Sequence, residues 1–127
     1  MPIDHAGVYV PKPIFQKTLD WYVAALAPIG YKIMAKPTES NIGLGKTVPD
    51  WWLGATDSES STPAHIAFTA EDRATVDAFH KAAVAAGGTD HGGPGLRPEY
   101  HPNYYGAFVV DPAGNNIEVV CHLPASS

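Results

Sequence analysis

The sequence predicts an α+β fold built from two βαβββ units in tandem, and three observations predict it. A short β-rich run is followed by a helical repeat twice, once from residue 3 and again from residue 64. The two helical stretches, "TLDWYVAALAPIG" (18–30) and "TVDAFHKAAVAAG" (75–87), share Thr, Asp, Ala and Gly at one constant offset. Each unit also opens on a strand with a histidine near its start, His5 in "DHAGVYV" and His65 in "AHIAFTA".

Element by element, "IDHAGVYV" (3–10) is a strand stopped by Pro11-Lys12-Pro13. Phe15, Leu19, Tyr22 and Leu26 then fall on one helical face, with Pro13 suited to the first turn and Gly30 to the stop. Three strands follow, "YKIMA" (31–35), "SNIGLG" (40–45) and "DWWLG" (50–54), separated by Lys36-Pro37 and Val48-Pro49. The polar stretch 56–63 connects the units.

In the second unit "AHIAFTA" (64–70) is a strand, and Thr69 with Asp72 can form a capping box. Val76, Phe79, Ala83 and Ala86 mark the helix face, and Gly87-Gly88 ends it. The strands "GAFVVD" (106–111) and "NIEVVCH" (116–122) flank a turn of hairpin chemistry at Pro112 to Asn115. The expected organisation is one domain over 1–127, with units over about 3–55 and 63–122.

Composition narrows the function. Eight basic against thirteen acidic residues give a net charge of −5, with no Lys/Arg run, which argues against a nucleic-acid partner. No apolar run reaches membrane-spanning length, and the first residues lack the pattern of a secretory signal. With Cys121 as the single cysteine, a disulfide framework within the chain is excluded, and a soluble cytoplasmic protein is expected. Cys121 itself suits a small core residue. "GLGKT" (43–47) imitates part of a phosphate-binding loop, but Ser40 stands where its first glycine belongs and Pro49 follows where a helix would begin.

The carboxylate of Glu118 stands in the middle of an apolar strand. Strand alternation puts Glu118, Val120 and His122 on one face and Ile117, Val119 and Cys121 on the other, and it puts His5 with Gly7 and Tyr9, and His65 with Ala67. A curved sheet that gathers His5, His65 and Glu118 provides two imidazoles and one carboxylate with open positions, the facial set used by catalytic divalent metals. Coordination also offsets the desolvation of a buried carboxylate.

"DHAGVYV", "HIAFTA" and above all "DPAGNNIEVV", which fits a D-P-x-G-N-x-x-E ending, resemble the vicinal oxygen chelate superfamily of glyoxalases, bleomycin resistance proteins and extradiol dioxygenases over essentially the whole chain. The resemblance implies eight strands in an incomplete barrel around a metal site, with His5, His65 and Glu118 as ligands of one divalent ion (Fe, Mn, Ni, Co or Zn). It implies a homodimer as well, in which the units close within one chain or exchange between two. Glyoxalase I has a further glutamate ligand in the last strand of its first unit, where this chain reads "DWWLG". A three-ligand site is therefore the closer match.

The stretch "HGGPGLRPEYHPNYYG" (91–106) is too aromatic for a plain linker and suits a lid or pocket wall. His101 and Tyr104 are its candidate acid or base, Tyr105 a pocket-lining residue and Arg97 a substrate anchor. His122, on the Glu118 face, is placed to orient a ligand. The expected function is a metal-dependent enzyme of lyase, isomerase or dioxygenase type, which chelates a small oxygen-bearing substrate and steadies an oxyanion or enolate-like charge. The alternative is a non-catalytic protein of the bleomycin-resistance type, which sequesters a small molecule in a cleft lined by Trp51, Trp52, Tyr104 and Tyr105.

Overall fold

The computed structural model describes residues 2–59 and 62–125. Its elements run β1 (Ala6–Pro11), α1 (Phe15–Ala25), β2 (Lys32–Thr38), β3 (Asn41–Gly45), β4 (Trp51–Thr56), β5 (His65–Thr69), α2 (Arg73–Ala85), β6 (Thr89–Leu96), β7 (Tyr105–Val110) and β8 (Asn116–Cys121). The eight strands form two four-stranded sheets, ordered β1-β4-β3-β2 and β5-β8-β7-β6, and no closed barrel. Each sheet has the same plan: a first strand parallel to the last, then an antiparallel meander outward to an edge. The expected α+β class and doubled βαβββ order are thus present.

Helix α1 buries Phe15, Leu19, Tyr22 and Ala25 along the face that the spacing marks, and Leu26 just beyond its end is also buried. A short 3-10 turn (Ala27–Ile29) carries the chain to Gly30, whose φ of 88° is the left-handed geometry that a glycine supplies without Cβ strain. Helix α2 buries Val76, Phe79 and Ala83, whereas Ala86 lies past the last turn and is exposed. The capping residue is Asp72 alone: its Oδ1 accepts the Thr75 N–H at 2.7 Å, and Thr69 belongs to β5.

Two departures from the expected strands share one cause. β2 runs through Pro37, and β6 occupies 89–96, where a loop was expected from residue 91 onward. Both are edge strands, and both have register shifts against their neighbours. An edge strand tolerates proline and glycine because half of its backbone groups need no ladder partner. Residues 60 and 61 of the expected connection lie outside the described residues.

The core is continuous between the halves. Trp51 meets Phe68 edge-on at 5.4 Å between ring centroids, and Trp21 Nε1–H donates to the Ala83 carbonyl at 2.8 Å. Asp111, 4% exposed, organises the last hairpin: Oδ1 accepts the N–H groups of Ala113 and Asn115, and Oδ2 accepts from Asn115 Nδ2 and from the Tyr22 hydroxyl of α1. The "DPAGN" turn therefore also ties the second sheet to the first helix. Cys121 is buried and unbridged.

Candidate functional site

In the second sheet β5 lies parallel to β8, with Ala67 opposite Glu118 and His65 opposite Asn116. Period-two alternation therefore turns His65, Ala67 and Glu118 to one face and leaves Ile117 and Val119 in the core. Glu118 is only 2% exposed, a costly place for a carboxylate unless both oxygens find partners. They do. Oε1 lies 2.9 Å from His65 Nε2, and Oε2 accepts the Tyr104 hydroxyl.

Tyr104 reaches Glu118 because the chain doubles back between β6 and β7. The Arg97 N–H donates to the Tyr104 carbonyl at 2.7 Å, and turns at Tyr100 and Tyr104 close the loop. A Cβ at Gly106 would stand 3.3 Å from both Glu118 Oε2 and the Tyr104 ring, so a glycine there keeps this contact uncrowded. Burial, the hydrogen bond to Glu118 and the charge of Glu118 all push the Tyr104 hydroxyl well above the usual tyrosine range. Tyr104 therefore stays protonated, and its O–H donates a hydrogen bond to the carboxylate.

Beyond Tyr104 stand two imidazoles. His101 Nδ1 accepts the Asn103 N–H at 3.1 Å, which leaves the proton of a neutral ring on Nε2, and Nε2 faces His122 Nδ1 at 2.9 Å. The two rings stack at 5.2 Å, and the Tyr104 ring meets each of them edge-on. Glu118, Tyr104, His122 and His101 thus form one contiguous cluster. Residues 97–104, part of the stretch expected to be a lid or pocket wall, form the loop that carries Tyr104 to Glu118.

Among the described residues Arg97 makes no ion pair: its guanidinium donates to the carbonyls of Gly93 and Gly95 and lies 5.4 Å above the Phe108 ring. Phe108, directly opposite Glu118 in register and 6.1 Å from the His65 ring, belongs to the site although the sequence did not single it out. The alternation of "GAFVVD" with "NIEVVC" was the signal that could have found it. Tyr105 takes the opposite face of β7, where its hydroxyl donates to Asp77 and Arg73 covers its ring. The adjacent tyrosines therefore part company, one toward Glu118 and one toward α2.

The first sheet holds the remaining candidates. His5 precedes β1, is exposed and lies 2.7 Å from Asp4 through Nδ1, and Trp52 stands between Gly7 and Gly43 in register. A cleft of about 940 Å³ is lined by residues of both halves, among them His5, His65, Tyr31, Lys46, Asp50 and Phe68. Among the described residues no three His, Cys, Asp or Glu side chains gather, so a single chain brings His65 to Glu118 but not His5. The pair itself suits a divalent ion: ligands on neighbouring corners, with bonds of about 2.1 Å, stand about 3 Å apart, close to the observed 2.9 Å.

Comparison with known proteins agrees with this architecture. A family model described as "Glyoxalase/Bleomycin resistance protein/Dioxygenase superfamily" matches residues 3–119. Among solved structures, a glyoxalase/bleomycin resistance protein from Albidiferax ferrireducens T118 is 26% identical, covers 94% of this chain and 98% of its own, and superposes with a TM-score of 0.71. A glyoxalase/bleomycin resistance protein/dioxygenase family enzyme from Burkholderia phytofirmans PsJN, 17% identical, covers 97% and 100% with a TM-score of 0.75. A lactoylglutathione lyase from Agrobacterium tumefaciens, 18% identical, covers 94% and 92% with a TM-score of 0.67. At those identities the last two establish the fold alone. The comparison with curated proteins gives no match.

Proposed function

Because the chain belongs to the glyoxalase/bleomycin resistance protein/dioxygenase superfamily, we propose that it is a metal-dependent enzyme acting on a small oxygen-bearing substrate. In this proposal His65 and Glu118 of one chain and His5 of a second chain hold one divalent ion, in a homodimer that works in the cytoplasm. Each chain is taken as one domain of two βαβββ units. The observation that carries the proposal is the buried Glu118 carboxylate, held 2.9 Å from His65 in the middle of an apolar strand. His5, ahead of β1 and beside Asp4, joins no group of three with His65 and Glu118 among the described residues, which supports completion of the set by a partner.

A divalent ion at these residues supplies Lewis-acid polarisation of two neighbouring substrate oxygens and offsets negative charge that develops on them. The chain contributes the rest. Tyr104 fixes the carboxylate through Oε2, so that Oε1 keeps its orientation toward His65. His101 and His122, stacked beside Tyr104, are the groups placed to serve as acid or base there. Arg97, over Phe108, places positive charge beside the same face and suits a carbonyl-bearing or anionic substrate.

Elemental analysis of wild type and Glu118→Gln, purified without chelator, tests the proposal. About one divalent ion per chain in the wild type, lost in the variant, is the expected result. An ion retained in Glu118→Gln would overturn the ligand assignment. Trp52, an indole on β4 opposite Gly7, favours a second reading: sequestration of a small molecule without catalysis. That reading predicts a wild type free of metal even after incubation with Mn, Fe, Co, Ni or Zn.

A further inference from the structure

We infer that Tyr104 restricts Glu118 to coordination through one oxygen, and so keeps a position open on the ion beyond those that a two-oxygen substrate takes. The inference rests on the metal-dependent reading above. It makes Tyr104 a positioning residue, which acts through Glu118 and touches neither ion nor substrate.

A carboxylate binds a divalent ion through one oxygen or through both, and the outcome depends on what else its second oxygen can bond. Within the sheet Glu118 stands between Ala67 on β5 and Phe108 on β7, and neither side chain has a donor. At 2% exposure the carboxylate finds none in solvent either. An unpartnered oxygen is costly in such a place, so a carboxylate left to itself would turn both oxygens to a cation.

Tyr104, which comes from outside the sheet, removes that choice. Oε1 faces His65 Nε2 at 2.9 Å, whereas Oε2 accepts the Tyr104 O–H. Only Oε1 is left to share an ion with His65.

The surroundings hold the phenol in place. Its ring is flanked by those of Tyr100, His122 and His101, with centroids 4.8, 5.3 and 5.5 Å away. The Tyr104 carbonyl accepts the Arg97 N–H at 2.7 Å, and the Tyr104 N–H donates to the His101 carbonyl at 3.2 Å. Gly106 supplies the room: a Cβ there would stand 3.3 Å from both Glu118 Oε2 and the Tyr104 ring, tighter than ordinary contact. A glycine inside a strand gives up side-chain packing, and here the space it leaves is taken by this bond.

The consequence lies in the coordination count. On an octahedral ion held by two imidazoles and one carboxylate oxygen, a chelating substrate takes two positions and one more stays open for water or another small reactant. If both carboxylate oxygens were bound, that last position would be lost.

Water-proton relaxation of the full chain saturated with Mn(II) counts the waters on the ion, before and after oxalate fills two positions. The wild type should keep about one water with oxalate bound. Tyr104→Phe, loaded to saturation, should hold about one water fewer than the wild type without oxalate and none with it. Gly106→Ala, which crowds the same bond, should change the count in the same direction, and it carries the test if Tyr104→Phe does not fold. A purely structural role for Tyr104 would weaken uptake of Mn(II) and leave the count at saturation unchanged. Counts that stay the same or rise in the folded variants, or a wild type without water once oxalate is bound, would overturn the inference and leave the metal reading standing. A wild type that takes up no Mn(II) would overturn both.

Discussion

His65 and Glu118 are diagonal neighbours on one face of two parallel strands, and the imidazole Nε2 stands 2.9 Å from the carboxylate Oε1. The other oxygen, Oε2, depends on the Tyr104 hydroxyl. Tyr104→Phe removes that donor and leaves half of a buried carboxylate unsatisfied, which should cost about 1–3 kcal/mol of stability. Metal affinity should fall about 10- to 100-fold, as is usual when a partner that orients a ligand is lost. Thermal melts and competition against a metal indicator check the two effects, and Cys121→Ala, on the opposite face, should leave metal affinity unchanged.

Completion of the site across two chains makes a quantitative prediction. His5→Ala and Glu118→Gln should each lose metal alone. Co-refolded in equal amounts, they should recover about one quarter of the wild-type content, since random pairing makes half of the dimers mixed and each mixed dimer holds one intact set. Elemental analysis reads the recovery. None at all would place all three ligands within one chain.

The bond from Tyr22 to Asp111 joins the first helix to the last hairpin. Burial first, then the charge of Asp111 and the hydrogen bond to it, raise the Tyr22 hydroxyl well above its ordinary value of 10.0. A group whose pKa is raised on folding contributes stability that is fully present below the unfolded value and is lost as pH rises through the folded one. The melting temperature should therefore decline above about pH 10. Tyr22→Phe should lose about 2 kcal/mol at neutral pH and show a shallower alkaline decline. Melts from pH 7 to 11 in both proteins decide it.

Gly88 follows α2 at a crowded place. A Cβ there would meet Val109 Cγ1 at 2.5 Å, Trp21 Nε1 at 2.6 Å and the Ala83 carbonyl at 2.9 Å. Gly88→Ala should break the Trp21 bond to Ala83 and cost about 2 kcal/mol or more. Gly93, with open space around it, is the control: Gly93→Ala should be nearly neutral by chemical denaturation.

Much of the fold was legible because period and punctuation are local. Phe15, Leu19, Tyr22 and Leu26 announced a helix face, Gly30 announced its stop, and alternation in "NIEVVC" separated Glu118 from its apolar neighbours. β6 was not legible. Its glycines and Pro94 read as a loop, and only its place at a sheet edge makes them acceptable in a strand. Tyr104 and Tyr105 could not be told apart in role either, since the start of β7 decides which face each takes.

By itself, the sequence determined the doubled βαβββ order, the buried carboxylate as the feature needing explanation, and its histidine partner in β5. The tertiary structure alone decided that His5 forms no group of three with that pair among the described residues, that Tyr104 closes over Glu118, and that the Trp52 indole packs over Gly43. The physical reason is range. A strand's period of two tells which residues share a face, but which faces confront each other depends on sheet curvature, on loop closure and on packing between distant segments, none of which is written in neighbouring residues.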